Sequence, residues 1–332
     1  MYQRLFVGGL VLVLCLLGSM AAAMADNKTL PLQLDAAAGF GFDSNVSSRP
    51  MDEDEDTSLL RFGKGDFFYE QNLVVGYTLP VTSEFSVLAQ YALNQNFHFR
   101  LTQFDFFSNN ISVTPVLRLF NNTGQLTGFL NYNYLDIGSD KYRTFYTARP
   151  VYYQMLSDLV MLEASVGFER RYYFVQVATP RDIPSSKNLN AFIGMYLFLN
   201  KNRSAYVLTR YSFDHNDATG SNWDYNGHRF YLAGFFPIID KLKGNVYLDI
   251  YRMLFNNPWF DAHRSENPVW LFFNPPYPKR RDTGVTAGAQ VNYEFYPRWS
   301  AQTNLSYTRN NSNIKWYQYD RFLINVLLTF KY

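Results

Sequence analysis

Apolar and polar positions alternate along most of the chain, and the last eleven residues do so without a slip. Phe322, Ile324, Val326, Leu328, Phe330 and Tyr332 fall on one side, and Leu323, Asn325, Leu327, Thr329 and Lys331 on the other. Successive side chains of a β-strand point to opposite faces, so this segment reads as a strand with one wholly apolar face. About fourteen segments repeat the pattern. Clear apolar sets run in steps of two from Leu32 to Phe42, Leu73 to Leu79, Phe85 to Leu93 and Ile111 to Leu119. Others run from Leu162 to Phe168, Leu189 to Leu199, Val285 to Phe295 and Trp299 to Tyr307. The opposite faces are polar or small, as in Gly284, Thr286, Gly288, Gln290, Asn292 and Glu294, or Ser300, Gln302, Asn304, Ser306 and Thr308. Segments at Arg143–Met155 and Gly244–Phe255 alternate poorly and leave the count open by two.

A soluble protein has to cover such faces with a second layer, whereas an outer-membrane barrel turns them to lipid. Strands of about ten residues, tilted by about 45°, give an apolar band about 25 Å tall. The connections support the barrel. Short turns are expected near Pro80–Glu84, Asn121–Gln125, Ser157–Leu159, Asn200–Asn202, Ile239–Lys243 and Tyr296–Arg298. The intervening loops read as longer: Ser44–Gly65, Phe97–Phe104, Leu135–Tyr142, Val177–Lys187, His215–Gly227, Asn256–Arg281 and Asn310–Trp316. Short periplasmic turns facing long outer loops, with both termini inside, fit an even strand number. Closure is required, because an open edge in lipid strands backbone groups at several kcal/mol each. Pro115 inside a strand pattern suggests a bulge. The predicted fold is all-β: a transmembrane antiparallel up-and-down β-barrel of about 14 strands, after a cleaved signal peptide.

The signal is read from Arg4, the apolar run Leu5–Leu17 and the Ala23-Met24-Ala25 cleavage pattern. It makes residues 1–25 the signal and 26–332 the barrel, in the outer membrane of a Gram-negative bacterium reached through the periplasm. Cys15 leaves with the signal, so no disulfide is expected. The chain's formal charge of +2 falls to about +1 once Arg4 is lost, which indicates neither nucleic acid nor a strongly acidic ligand. The 26 Tyr and 30 Phe suit aromatic belts at two membrane interfaces.

Candidate chemistry is sparse. The segment Asn256–Arg281 holds Trp259, Phe260, Trp270, Phe272 and Phe273 among prolines and ends in Lys279-Arg280-Arg281. It is expected to fold into the barrel mouth as a plug or gate, or else to dock a partner or lie on lipopolysaccharide. Arg170-Arg171 with Glu163, Glu169, Arg210, Asp249 and Lys331 are expected to face the lumen, either as a charged constriction or as pairs within the wall. Phe192, Tyr196, Tyr206 and Tyr247 narrow the lumen if they point inward. The acidic run Asp52–Asp56 lacks calcium-loop spacing, and no metal, cofactor or catalytic residue is assigned. His98, His215, His228 and His263 sit at loops or strand ends, and an enzyme would need one of them beside a nucleophile or carboxylate.

Two stretches resemble a known family. Gly39-Phe40-Gly41-Phe42-Asp43-Ser44-Asn45 is one. The other runs from Arg280-Arg281-Asp282 through Ser306–Ile314 to Tyr317-Gln318-Tyr319-Asp320-Arg321 and the terminal strand. Together they resemble the C-terminal barrel of the surface lipoprotein assembly modifier family. The resemblance implies a barrel of fourteen strands and, in members that handle lipoproteins, a helical tetratricopeptide domain before it. Here about six residues separate the cleavage site from the first strand, so only the barrel is matched, and a separate periplasmic helical-repeat protein becomes a candidate partner. Phe330-Lys331-Tyr332 looks like the signal read by the barrel assembly machinery. Asp43, Ser44 and Asn45 are expected to form a strand-end turn, and Tyr319, Asp320 and Arg321 a wall-lining ion pair, or else a binding motif. The functional expectation is a porin-like channel or secretion-associated export conduit for a polar solute. The alternative is a non-conducting structural or binding barrel that partners a periplasmic machine or displays surface loops.

Overall fold

Period-two patterning becomes fourteen strands in the computed structural model, which describes residues 31–48, 64–177, 180–258 and 278–332. In chain order these are β1 (Leu32–Asp43), β2 (Asp66–Pro80), β3 (Phe85–His98), β4 (Phe106–Leu119), β5 (Gly124–Ile137), β6 (Asp140–Ser157) and β7 (Val160–Tyr173). They continue as β8 (Ser186–Phe198), β9 (Tyr206–Ala218), β10 (Tyr225–Ile239), β11 (Leu242–Pro258), β12 (Lys279–Tyr296), β13 (Trp299–Ser312) and β14 (Tyr319–Lys331). Each strand pairs with its sequence neighbours, and β1 closes the barrel against β14 from Asp35↔Lys331 to Asp43↔Leu323. The count is fourteen because both weakly alternating segments are strands. Their inner faces carry Phe145 and Tyr153 on β6, and Tyr247 and Tyr251 on β11, so aromatics stand on both sides and blur the contrast.

Burial is inverted relative to a soluble domain. Ile193 is 58% exposed and Val326 54%, both on the outer face, while the inward Glu163 and Asn188 are exposed by 1% or less. Only hydrocarbon accounts for an apolar exterior of this extent. Aromatic side chains band it near the outer end, where Phe42 meets Phe67 at 5.1 Å, Phe40 meets Tyr69 at 5.4 Å and Tyr132 meets Tyr146 at 5.2 Å. At the other end Trp299 meets Phe330 at 5.0 Å. The strands span 12 to 18 residues, more than the ten expected, so several rise past the apolar band.

Two local expectations change. Pro115 makes no bulge: the β4–β5 register is the same on both sides of it, from Val113↔Leu130 to Val116↔Thr127, and only the ladder pairings of Thr114 and Pro115 are missing. The outer β5–β6 connection is two residues rather than a loop. Gly138 and Ser139 both take positive φ (60° and 76°), which is the turn that matches strand twist in a two-residue hairpin. A Cβ on Gly138 would also stand 2.6 Å from the carbonyl oxygen of Gln103. Gly138→Val is therefore expected to cost about 1–3 kcal/mol, read as a lowered urea midpoint of the refolded barrel.

Candidate functional site

The lumen wall is built from the inward half of every strand. One line of directly opposed residues crosses nine strands: Tyr153, Glu163, Gly194, Arg210, Tyr231, Asp249, Thr286, Thr308 and Arg321. Three charges that the sequence singled out, Glu163, Arg210 and Asp249, thus lie on one row. They do not form a single ring. Glu163 and Arg210 pair across β8: Arg210 Nε donates to Glu163 Oε1 at 2.5 Å and Nη2 to Oε2 at 3.0 Å. The Tyr196 hydroxyl donates to the same carboxylate, and the Phe192 ring lies 4.6 Å from the guanidinium. Asp249 pairs instead with Arg229, whose Nε donates to Oδ1 at 2.7 Å.

Glu169 and Arg171 form a separate group nearer the outer end of β7. Arg171 pairs with Glu169, and its Nη1 reaches Asn216 and the Tyr225 hydroxyl, both at 3.4 Å. Tyr225 in turn donates to Asp214 at 2.8 Å. The expected cluster is thus three separate wall-bound pairs: Glu163–Arg210 between β7 and β9, Glu169–Arg171 within β7, and Asp249–Arg229 between β11 and β10. Arg170 faces lipid, not the lumen, because it alternates with Arg171 along β7, and its guanidinium sits over Tyr172. Phe192, Tyr196, Tyr206 and Tyr247 do face inward, and Tyr206 stacks on Phe235 at 4.5 Å. Lys331 also faces inward, opposite Asp35.

Glycines make the pairing possible. The Glu163 side chain crosses β8 by lying in the space that a side chain on Gly194 would fill, since a Cβ there would stand 2.8 Å from Glu163 Cγ. Tyr247 lies over Gly288, and Tyr251 over Gly284, in the same manner. From there the Tyr251 hydroxyl donates to Asn310 on β13 at 2.9 Å. Long inward side chains therefore lie along the wall.

Arg229, Arg143 and Arg149 are functional candidates that sequence reading missed. Arg143 and Arg149 face inward on β6, and each has a buried Nε without a hydrogen-bond partner. Arg143 has Phe145 at 4.4 Å. Weak alternation of β6 hid them; once Tyr146, Ala148 and Pro150 are set outside, both arginines must point in. Guanidinium groups in such positions can receive a carboxylate or phosphate from a passing solute.

Lys279, Arg280 and Arg281 end no loop, since β12 begins at Lys279. Arg280 is buried on the inner face, pairs with Asp282, and lies 3.2 Å from the Tyr317 ring and 4.4 Å from Phe255. Trp259, Phe260, Trp270, Phe272 and Phe273 lie outside the described residues, as do residues 1–30 and the acidic run. His98 approaches Asp105, His215 Nδ1 bonds Asn226, and His228 Nδ1 bonds the Tyr211 hydroxyl. The last two histidines are on the outer face of the wall.

The two family-like motifs meet at the β1–β14 seam. Arg321 donates to the buried Asp43, with Nε at 2.8 Å. The Asn45 N–H donates back to Asp43 Oδ1 at 2.9 Å, and the Asn45 amide reaches the Asp320 carbonyl at 3.0 Å. Ser44 accepts the Phe322 N–H at 2.7 Å. Asp320 itself faces out, accepting from Tyr307, and Tyr319 faces inward ahead of Arg321.

A closed antiparallel barrel, greasy outside and polar within, defines a membrane-spanning protein of the Gram-negative outer-membrane type, in contact with membrane lipid. Among solved structures the outer-membrane channel DcaP of Acinetobacter baumannii is similar, with a TM-score of 0.52 at 9% identity over 91% of this chain and 97% of that one. The TodX monoaromatic hydrocarbon channel aligns at 0.48 and 9% identity, over 92% of this chain and 90% of its own. OmpT of Vibrio cholerae also aligns at 0.48 and 9% identity, over 93% and 100%. No protein-family profile and no curated protein sequence matches the chain.

Proposed function

We propose that this barrel is a porin-like channel for small polar solutes. One observation carries the reading: bulky inward side chains lie along the wall over glycines, tied down by ion pairs and hydroxyl bonds, so the polar faces line the interior instead of filling it. Fourteen strands lie between the eight that only hold side chains and the sixteen that enclose water. Arg143 and Arg149 supply contacts for a carboxylate or phosphate on the solute. We place the chain beside the surface lipoprotein assembly modifier barrel on the seam motifs, and we take its route to be secretion to the periplasm and insertion by the barrel assembly machinery.

Purified protein in planar bilayers is expected to give stepwise ion conductance, and Arg143→Ala with Arg149→Ala to shift the permeability ratio toward cations. Absence of conductance both in the full chain and after deletion of residues 259–277 would rule out the channel.

A further inference from the structure

Amide side chains form a belt round one side of the lumen. Asn304 stands opposite Asn325 across β13 and β14, Asn72 opposite Asn94 across β2 and β3, and Asn110 opposite Asn133 across β4 and β5. These residues face inward and lie well inside the ends of their strands. β1 interrupts the row with Gly39 and Gly41, and the Asn325 amide crosses it to donate to Glu70 Oε2 on β2 at 2.7 Å. Above the periplasmic rim, where Arg118 stands, no lysine or arginine of strands β1 to β5 faces inward.

The two ends of the belt differ in what they leave unmet. From β13 to β2 the groups satisfy one another. Asn304 Nδ2 donates to Asn325 Oδ1 at 2.6 Å, and Asn72 Nδ2 joins Asn325 on the Glu70 carboxylate, at 2.8 Å. From β3 to β5 the side-chain oxygens of Asn96, Asn110 and Asn131 are enclosed and receive no donor. Asn96 is 9% exposed, whereas Asn110 and Asn131 are half-buried. The χ2 torsion of asparagine is broad, so the last two can swing their oxygens to the lumen. An acceptor left unmatched in the wall costs free energy until a donor arrives.

The belt ends at a cation. Asn131 is the diagonal neighbour of Asn110, and Arg149 on β6 is the diagonal neighbour of Asn131, each step about 7–8 Å. Arg149 Nε has no acceptor. Its stem leans over Gly167 on β7, which sets the guanidinium two strand spacings, about 10 Å, from Asn131. A six-carbon sugar acid with a hydrogen bond at each end spans about the same length. The unmet groups call for hydroxyl donors along a solute and an anion at its end. They do not call for an ammonium, because the acids beside the belt are already held: Asp43 by Arg321, Asp66 by Arg100, and Glu70 by two amides. Resting on the channel reading, we propose that β4–β6 carry a lumen subsite for hydroxylated carboxylates, the class of sugar acids. The Asn110 and Asn131 oxygens accept from hydroxyls, and Arg149 takes the carboxylate.

The test uses the full mature chain refolded in uncharged detergent, with binding read by ligand-observed NMR, which needs no open pore. Glucuronate is the probe. Glucose keeps the hydroxyls without the carboxylate, cyclohexanecarboxylate keeps the carboxylate without the hydroxyls, and alanine adds an ammonium. Glucuronate is expected to bind about tenfold better than any of them. Arg149→Gln should weaken glucuronate about tenfold and leave glucose as it was, since only the charged bond is lost. Asn110→Leu/Asn131→Leu should weaken both sugars. Heat-resistant gel migration checks that this variant still forms the barrel. If it does not, Asn131→Asp carries the test, because it keeps the shape, repels a carboxylate and should weaken glucuronate alone. The subsite is overturned if glucose, cyclohexanecarboxylate or alanine binds as well as glucuronate, or if the variants bind glucuronate as the parent does. A barrel that conducts ions yet binds none of these compounds overturns the subsite and leaves the channel standing. One that binds glucuronate yet carries no current keeps the subsite and refutes passage.

Discussion

Arg321→Ala is expected to destabilise the barrel by about 2–3 kcal/mol, among the largest effects of any single lumen-side substitution. Asp43 is 1% exposed, and its side chain holds the Asn45 N–H on one oxygen and the Arg321 guanidinium on the other. Removing the arginine leaves a buried carboxylate with half its partners, and an orphaned buried charge costs more than the pair contributed. The lower end of the usual range is taken because the Arg321 side chain is itself 35% exposed to the lumen. The location adds to the effect. β1 and β14 are the first and last strands of the barrel, so their seam closes a loop of the whole barrel and has the most chain entropy to overcome. Urea titration of the refolded protein, followed by the heat-resistant gel form, measures the loss. Adding Asp43→Ala removes the orphan, so the double variant should recover part of the stability. A single variant within about 0.5 kcal/mol of the parent, the range of an ordinary surface substitution, would mean that the clasp does not hold the seam.

Membrane-barrel architecture was legible because period two stands out wherever the inner face contrasts with the apolar outer one, and β14 shows it without interruption. It faded on β6 and β11, whose inner faces are aromatic, and the arginines of β6 faded with it. Adjacent charges such as Arg170 and Arg171 must point to opposite sides of a strand, so alternation alone separates the lipid-facing residue from the lumen-facing one. Partner choice was not legible. Glu163 reaches Arg210 across an intervening strand only because residue 194 lacks a side chain, and no spacing rule within one strand signals a bond over two. Asp249 pairs instead with Arg229 on the adjacent β10, diagonally past the directly opposed Tyr231. The seam motifs lie nearly the whole barrel apart in sequence, and their contact follows only once closure brings β1 beside β14. The outer-loop lengths misled at Leu135–Tyr142, where Gly138 and Ser139 turn the chain in two residues.

Gly194→Leu tests whether the cleared wall matters for passage. The new side chain occupies the space in which Glu163 lies, so the carboxylate must leave β8 and release Arg210. Glu163 is enclosed almost completely, whereas the Arg210 side chain is 31% exposed, so about 2–4 kcal/mol of stability should be lost, mostly from the carboxylate side. Displaced from the wall, both groups extend into the lumen, and single-channel conductance should fall. Glu163→Ala separates space from charge. It breaks the same pair but adds no bulk, so conductance should hold or rise while the freed Arg210 moves the permeability ratio toward anions. Gly194→Ala should fall between the parent and the leucine variant. If Gly194→Leu and Glu163→Ala change conductance in the same direction, the glycine recess is not what keeps the lumen clear. If neither variant alters stability or current, the Glu163–Arg210 pair has no part in shaping the pore.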